Sequence, residues 1–329
     1  MINKLLKRFA PSPQAVSTWG VVTTTIEDTD SVKRFVAHHL MLGAKQVTVY
    51  LDKPNPTLFS ALDQMPGAVA INCDDTFWTA RPRGRPRRHQ QRQSQNATQA
   101  YHQSSCDWVA HIDVDEFLHA GDLSIGALLA AQPSDVQTLR LAPVEALAFA
   151  TQTSAPPNRY YFKKDTFGPK QRAILRDLYP TFGEHLTGHF VGHRQGKIFA
   201  RTGLEGAKFK IHNLAIGDAQ NPGLKPIDEI HLCHFLSFDF DDWNRKLEFR
   251  MKRGAFSGEM PKRGDIRATL ERCKDADGVY QVKPLHDEIC TASEDHLRKL
   301  SSHDLMVELD FDFDRSVAQF FENDDSQTA

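Results

Sequence analysis

Three carboxylates stand within four positions, between apolar residues, in the stretch DWVAHIDVDEFL at 107–118. In an extended segment residues i and i+2 face the same side, so Asp113 and Asp115 project together while Val114 turns toward the core. Two carboxylates on one face repel each other unless a cation lies between them, and a hard divalent ion with oxygen ligands is the usual solution. The pattern therefore predicts a metal site, with acids that merely cap the next element as the alternative.

Other Asp-x-Asp pairs show that the pair alone means little. They are Asp28 and Asp30, Asp239 and Asp241, Asp275 and Asp277, and the run from Asp310 to Asp314. Only the 113–115 pair follows a compact apolar strand, and the last run lacks the glycine that a calcium-binding loop needs at its sixth position. We interpret the others as helix caps or solvated surface acids.

The elements that must position these acids form a repeating β–α pattern. Runs rich in β-branched residues predict strands at 19–26, 46–51, 68–73 and 108–112, and helical spacing or composition predicts the intervening helices. Acids follow the second, third and fourth strands, at Asp52, Asp74–Asp75 and Asp113. We expect an α/β fold with an open, mostly parallel sheet flanked by helices, which binds ligands beyond the carboxyl ends of its strands.

The rest of the chain is less regular. We predict a helix at 124–131, a strand at 138–142, strands at 197–201, 208–211 and 230–235, and an amphipathic helix at 239–253. Prolines and glycines weaken the pattern between 143 and 196, as in long functional loops. Beyond Gly264 the pattern indicates C-terminal helical additions, and the polar tail from Asn323 is expected to be disordered.

Composition narrows the class of protein. The 329 residues carry a formal net charge of −2, which argues against general polyanion binding. Five cysteines without C-x-x-C spacing indicate a reducing, cytoplasmic setting. No segment has the roughly 18 apolar residues that a transmembrane helix requires. Leu5 and Leu6, beside basic residues, leave a peripheral contact with the inner membrane face open, against a frayed terminus.

Four segments together resemble glycosyltransferases of the GT-A fold, and more narrowly a bacterial family-2-like group with family 92 relatives. They are TTTIEDTDSVKRFVAHHLMLGAKQVTVYLD, WVAHIDVDEFL, GHFVGHRQGKIFARTG and HFLSFDFDDWNRKLEFRMKRG. The resemblance implies a catalytic domain at 17–262, after an N-terminal extension at 1–16 and before a helical extension at 263–322 and a tail at 323–329. It also implies metal-dependent transfer of a sugar, with a UDP-sugar as the expected donor, to a glycan or lipid-linked acceptor in surface polysaccharide assembly.

The resemblance also assigns roles to residues. Asp113, Asp115 and His234 are the expected ligands of Mn²⁺ or Mg²⁺, with His212 and His231 as rivals of His234 and with Glu116 behind the pair. The expected nucleotide-sugar contacts are Thr25, Glu27, Asp52, Arg92, Asp113 and Lys197. Thr25 and Glu27 also fit simple helix-cap roles.

The general base is left open. If the reaction inverts the anomeric centre, a carboxylate must deprotonate the acceptor hydroxyl. Four acids lie in regions that should flank the acceptor, and the sequence does not choose among them: Glu145, Glu205, Asp228 and Glu229.

Two other functions are compatible with parts of the sequence. A nucleotidyltransferase or phosphodiesterase would use the same acid pair, but the usual small residues before the pair are replaced by Ala110-His111-Ile112. The segment RPRGRPRR at 81–88 resembles the AT-hook, which places arginines in the minor groove of A·T-rich DNA. Because this segment is single and falls over the predicted crevice, a diphosphate or an anionic acceptor is the better partner, and nucleic acid is not expected.

Overall fold

The computed structural model describes residues 15–149, 158–186, 188–252 and 266–321. Its strands are β1 Trp19–Thr25, β2 Gln46–Leu51, β3 Ala68–Asn72, β4 Trp108–His111, β5 Glu116–His119, β6 Thr138–Leu141, β7 Pro143–Ala146, β8 Ala148–Phe149, β9 Arg159–Lys164, β10 Lys197–Arg201, β11 Ala207–Phe209, β12 Leu214–Ile216, β13 Ala219–Gln220, β14 Leu224–Pro226, β15 His231–His234, β16 Thr291–Ala292 and β17 Met306–Asp310. Its helices are α1 Thr29–Met41, α2 Pro56–Asp63, α3 Asp75–Thr79, α4 His89–Gln103, α5 Ile125–Ala130, α6 Gln171–Leu178, α7 Phe240–Lys252, α8 Ile266–Arg272, α9 Lys283–Ile289, α10 Glu294–Ser302 and α11 Phe313–Phe321.

Local sequence explains the first three predicted β–α units, which are confirmed, while the fourth strand, β4, is followed by β5 before the helix α5. Asp28 caps α1 by accepting a hydrogen bond from the Ser31 amide at 2.8 Å. Asn55 caps α2 in the same way, and Pro56 occupies the first turn, where its missing N–H has no intrahelical partner to lose. Gly43 ends α1 with a φ of +90°, a conformation that favours glycine.

The main sheet has seven strands in the order β14-β6-β10-β4-β1-β2-β3. Only β10 runs antiparallel to its neighbours, so the expected mostly parallel sheet is confirmed. The carboxyl ends of β1, β2 and β4 meet at one edge, and the reversed direction of β10 brings its first residue, Lys197, to that edge as well. The predicted acids and a lysine therefore converge on one edge of the sheet.

A second sheet, which the sequence did not predict, has the order β17-β9-β7-β15-β5. Two of its strands come from the irregular region after residue 142. Strand β15, which lies between β7 and β5, places His234 opposite Glu116 of β5 on one side and Glu145 of β7 on the other. This sheet consequently joins three polar residues that are far apart in sequence.

The largest core contains residues of both sheets and of α1, α2 and α5, and it includes aromatic residues from distant segments, such as Phe117, Phe235 and Phe311. The predicted C-terminal helices are present, and they pack around α6 and α7 or, in the case of α11, against α1. The C-terminal region also supplies β17, which pairs with β9. Within the described ranges, no helix combines the length and apolar character needed to cross a membrane. Residues 1–14 and 322–329, on which the predictions for Leu5, Leu6 and the tail fall, lie outside those ranges.

Candidate active site at the carboxyl edge of the sheet

The acid pair lies where β4 leaves the main sheet and the chain turns into β5. The side chains of Asp113 and Asp115 are 34% and 29% exposed, while Val114 between them is buried. Apolar residues hold the strand in the core, so the two carboxylates are fixed at the sheet edge. The predicted alternation of buried and accessible positions is present.

Asp113 faces a buried lysine. The Nζ atom of Lys197 lies 2.6 Å from Oδ2 of Asp113 and 3.2 Å from Oε2 of Glu116, and Gln93 Nε2 donates to Oδ1 of Asp113 at 2.7 Å. Glu116 also accepts the backbone N–H of Asp113 at 2.8 Å. Lys197 thus holds the carboxylates of Asp113 and Glu116 together at the β4–β5 turn.

The electrostatics of this triad follow from burial and pairing. Burial works to raise the pKa of Asp113, but Lys197 outweighs it and the pKa is lowered. For Glu116 burial dominates, and it raises the pKa to about 7. The Lys197 side chain has no exposed surface, and its contacts are with Asp113 and Glu116, so its contact with a donor stays a prediction.

Asp115 faces His234 instead. Their Oδ2 and Nε2 atoms are 3.7 Å apart, and the histidine side chain is 14% exposed. Burial alone would lower the pKa of His234, but the surrounding carboxylates, Asp115 first among them, raise it. Two of the three predicted metal ligands therefore lie together, while Asp113 is turned toward Lys197.

The rival histidines lie elsewhere. His212 Nδ1 bonds to the Gly196 carbonyl at 2.8 Å, and its ring stacks on His193. His231 stands at the opposite end of β15, across from His119. Among the described residues, no group of three His, Cys, Asp or Glu side chains is arranged to hold a metal ion. An ion at Asp115 and His234 would need further ligands from a substrate or from water.

The predicted nucleotide contacts divide into two groups. Thr25 ends β1, and its Oγ1 accepts the Glu27 amide at 2.9 Å, which is a local turn contact. Glu27 lines a pocket together with Asp115 and Lys246, and burial raises its pKa. Glu27 is thus the predicted donor contact that shares a pocket with Asp115.

Asp52 and Arg92 are paired with each other. Asp52 is 2% exposed and lies within 2.7 Å of Arg92, 3.1 Å of Arg85 and 3.3 Å of His89. Burial would raise the pKa of Asp52, but hydrogen bonds from His89 and Arg92 lower it. The Asp52 carboxylate is therefore paired with cations, and its contact with the nucleoside stays a prediction.

The candidate bases are dispersed. Glu145 is buried: it lies 2.9 Å from Lys163 Nζ and accepts the amides of Val191 and Gly192 at 2.9 and 2.5 Å. Glu205 follows the end of β10, at the opposite edge of the main sheet from Asp113. Asp228 and Glu229 precede β15 at the end away from His234. Glu145 holds the backbone of the segment next to His234, and its charge helps to raise the pKa of that histidine.

A small pocket at Asp115 opens to solvent between α1, the β4–β5 turn and α7. Its walls combine acids, cations and aromatic rings, a lining that suits a polar ligand with an anionic group. The lining residues are Glu27, Ser31, Arg34, Val114, Asp115, Phe117, Phe235, Phe238 and Lys246. Arg34 and Lys246 had no assigned role in the sequence, although Lys246 stands one helical turn after the buried Trp243 in the predicted amphipathic helix.

The other Asp-x-Asp pairs contain helix caps and surface acids. Asp28 and Asp239 cap helices, and Asp275 Oδ1 accepts two amides of its own turn. In the last run, Phe311 and Phe313 are buried while Asp310 pairs with Arg159 on the surface.

Comparisons with known proteins give only distant similarity. No protein-family model matches the chain, and no curated protein matches it. Among solved structures, a mycobacterial protein aligns with a TM-score of 0.32 and 14% identity over 60% of this chain and 58% of its own. Glucosyl-3-phosphoglycerate synthase from Mycobacterium tuberculosis, in complex with Mn²⁺, UDP-glucose and phosphoglyceric acid, aligns with a TM-score of 0.28 and 14% identity over 56% of this chain and 57% of its own. The bifunctional glycosyltransferase WbbM aligns with a TM-score of 0.26 and 14% identity over 40% of this chain and 24% of its own. The chain spans less than two thirds of each of these proteins.

Proposed function

We propose that this chain is a glycosyltransferase that uses Mn²⁺ or Mg²⁺ to transfer a sugar from a nucleotide sugar, with UDP-sugars as the first candidates. The acceptor is a glycan or a lipid-linked glycan. The observation that carries the proposal is the pairing of Asp115 with His234 beside an open pocket, at the carboxyl edge of a mostly parallel sheet.

The side chains present fit a divalent ion. Asp115 offers carboxylate oxygens and His234 an imidazole nitrogen, a set that Mn²⁺ accepts, and both side chains are partly exposed. Mg²⁺ and Mn²⁺ sites commonly use one or two protein ligands and complete their coordination with water and substrate phosphates. A bound ion of this kind would neutralise the charge that develops on a diphosphate leaving group.

The remaining residues of the site have positioning roles. Lys197 and Gln93 fix Asp113 by one hydrogen bond to each carboxylate oxygen, and the remaining lone pairs of these oxygens would meet the ribose or water next to Asp115. Glu145 fixes Val191 and Gly192, and a side chain at Gly192 would collide with His234, since a Cβ there would lie 2.6 Å from the ring. In the pocket, Arg34 and Lys246 supply the positive charge that an anionic donor needs.

Thermal shift with nucleoside diphosphates tests this function. We expect UDP to raise the Tm only when Mn²⁺ is present, because ligands that bind the native state stabilise it. Asp115→Asn should abolish the metal-dependent shift. The matched control is Asp277→Asn, which alters the second acid of an exposed Asp-Ala-Asp sequence in the turn between α8 and α9, and which should leave the shift unchanged.

A sugar-transfer assay distinguishes the proposed glycosyltransferase from a nucleotidyltransferase or phosphodiesterase. Release of UDP from a UDP-sugar, with Mn²⁺ dependence that Asp115→Asn removes, is the expected result. Metal-dependent hydrolysis of phosphodiesters, or nucleotide transfer without sugar transfer, would instead favour the nucleotidyltransferase or phosphodiesterase. A Tm that responds to no nucleotide would contradict the proposal.

A further inference from the structure

A second charged feature lies on the same edge of the sheet. We call residues 81–88, RPRGRPRR, the arginine turn. Between positions 81 and 92 the sequence has six arginines and no acid or lysine, although the whole chain carries 40 basic and 42 acidic residues. A concentration of positive charge on a slightly acidic protein indicates an anionic partner.

The arginine turn is built into the fold. The Arg81 guanidinium donates to Asn96 and Gln99 of α4 and stacks over Phe77 at 4.1 Å. Gly84, with a φ of +60°, donates its amide to the Arg81 carbonyl at 3.0 Å and closes a tight turn. Arg81 therefore anchors the start of the segment.

The end of the turn is anchored from a neighbouring strand and helix. Arg85 donates to Asp52 at the end of β2, and Arg92 of α4 donates to the carbonyls of Pro86 and Arg87 at 2.9 and 3.1 Å. Some arginines of the region are thus used to fix the conformation in which the others are displayed.

The displayed arginines are Arg83, Arg87 and Arg88, which are exposed, and Arg85, whose side chain is 40% exposed. Within the part of the chain that the structure describes, no ion pair joins Arg83, Arg87 or Arg88 to a carboxylate. Holding several cations close together in a fixed turn is unfavourable in the free protein, and a bound anion would relieve that repulsion.

The location links the turn to the candidate active site. Asp52, which Arg85 contacts, ends β2, and β2 lies two strands from β4 in the main sheet. With strands about 4.8 Å apart, the anchor of the turn is about 10 Å from the strand that leads to Asp113. A chain-like ligand several sugars long can reach both places.

The chemistry of the turn selects among anionic partners. Its conformation is a closed turn, and an AT-hook must lie extended in the minor groove, so the DNA interpretation does not fit. The exposed large apolar side chains of the described chain all lie outside residues 81–92, which gives a lipid surface nothing to insert. Guanidinium groups instead offer planar, bidentate donors for phosphate and carboxylate.

We propose that the arginine turn binds the anionic groups of a phosphate- or carboxylate-bearing glycan, and so holds the acceptor chain next to the carboxyl-edge site. The role as acceptor rests on the glycosyltransferase function proposed above. Binding of an anionic glycan by the turn does not depend on that function.

The test compares two triple variants of the full chain. Arg83→Ala/Arg87→Ala/Arg88→Ala removes three displayed arginines that have no role at the carboxyl-edge site. Lys170→Ala/Lys208→Ala/Arg315→Ala removes the same charge from exposed positions outside the turn. Binding of oligogalacturonate, phosphomannan oligosaccharide and neutral dextran is measured at low and moderate salt, with phosphatidylserine vesicles and an A·T-rich duplex as further probes.

We expect the unmodified chain to bind at least one anionic glycan about tenfold more tightly than dextran, with affinity that falls as salt rises. The arginine variant should lose about tenfold, while the control variant stays within about twofold. Equal binding of anionic and neutral glycans, or equal loss in both variants, would overturn the proposal. Stronger binding to vesicles or to the duplex through the same arginines would overturn it in favour of a membrane or nucleic-acid surface.

The metal-dependent UDP response of the arginine variant separates the two proposals. An unchanged Tm shift together with lost glycan binding supports the turn as the acceptor site. Glycan binding in a chain with no response to any nucleotide would support the turn as a glycan site, but would reject its role as acceptor site.

Discussion

Two lysines of the described ranges have fully buried side chains, and each holds carboxylates, but they act at different places. Lys197 holds Asp113 and Glu116 at the solvent edge of the main sheet, where Asp113 stays 34% exposed. Lys163 holds Glu145 inside the second sheet, where the two side chains are 0% and 2% exposed. The first pairing leaves a carboxylate partly exposed at the sheet edge, and the second lies in the interior of the protein.

The hydrogen bonds of the two lysines account for this difference. Besides Glu145, Lys163 donates to the carbonyls of His189 and Ile289, at 2.6 and 3.0 Å, so one ammonium joins three distant segments. Lys197 donates only to side chains of the β4–β5 turn among its described contacts. We therefore expect substitutions at Lys163 to act mainly on stability and substitutions at Lys197 to act mainly on ligand binding.

Lys163→Met should cause the largest loss of stability. It leaves Glu145 as an unpaired buried carboxylate and two carbonyls without their donor, and breaking a buried pair in this way costs about 3 to 5 kcal/mol. Chemical denaturation would measure the free energy of unfolding. The matched control is Lys164→Met, at the next residue, whose side chain is 36% exposed and pairs with an exposed aspartate; it should change the value by less than about 1 kcal/mol. Similar losses in both variants would contradict the assignment.

The first half of the fold could be predicted because each β–α unit carries its own local signals. Strand β1 is rich in β-branched residues, Asp28 is a helix cap, and Gly43 follows the end of the helix. Each of these elements can therefore be predicted from a segment of about ten residues. The placement of Asp113 and Asp115 at the carboxyl edge followed from that order.

The second sheet could not be predicted because its pairings join short strands that are far apart in sequence. His234 meets Glu116 across 118 positions, and the strand that supplies Glu145 begins with a proline. The partners of Asp52 were missed for a related reason: Arg85 and Arg92 come from 33 and 40 residues further along the chain. Residue type alone also does not predict a buried lysine, since lysine is rarely buried unless it is paired with an acid.

Lys197→Met should have a smaller effect on stability and a larger effect on ligand binding. Asp113 can turn toward solvent, and Glu116, with a pKa of about 7, is readily protonated, so the expected loss is about 1 to 3 kcal/mol. The Tm shift produced by UDP with Mn²⁺ should fall strongly, because Lys197 no longer holds Asp113 and Glu116 in the β4–β5 turn. Lys208→Met, on an exposed strand position, is the control and should change neither quantity.

If Lys197→Met kept the full metal-dependent shift while losing as much stability as Lys163→Met, the contrast between a ligand-presenting lysine and a structural lysine would be wrong. If it lost the shift with little change in stability, the contrast would become sharper. Both variants are compared under one set of denaturation conditions, so that the two losses are on one scale.

A third buried polar group extends the comparison to neutral side chains. His38 and His39 of α1 bond to the backbone of Leu118 in β5, at 2.8 and 3.3 Å, and His39 Nε2 must be unprotonated to accept the Leu118 amide. Burial lowers the pKa of His38 to about 4, and burial together with the neighbouring His38 lowers the pKa of His39 well below its ordinary value. The bond to His39 requires a neutral ring, while His38 donates its Nε2–H to the Leu118 carbonyl and is kept neutral by burial.

The pH dependence of stability should therefore have a definite sign. Below pH 6.5 the unfolded chain binds protons at these two positions while the native state does not, so each histidine removes about 1.4 kcal/mol of stability per pH unit until its native pKa is reached. We expect the free energy of unfolding to fall from pH 6.5 toward pH 5. His38→Phe keeps the stacking against Phe311 and removes one titrating group, so it should lower stability at pH 7 and make the slope between pH 6.5 and 5 less steep by about one proton. A slope that His38→Phe leaves unchanged would mean that this histidine takes up its proton equally well in the folded and the unfolded chain.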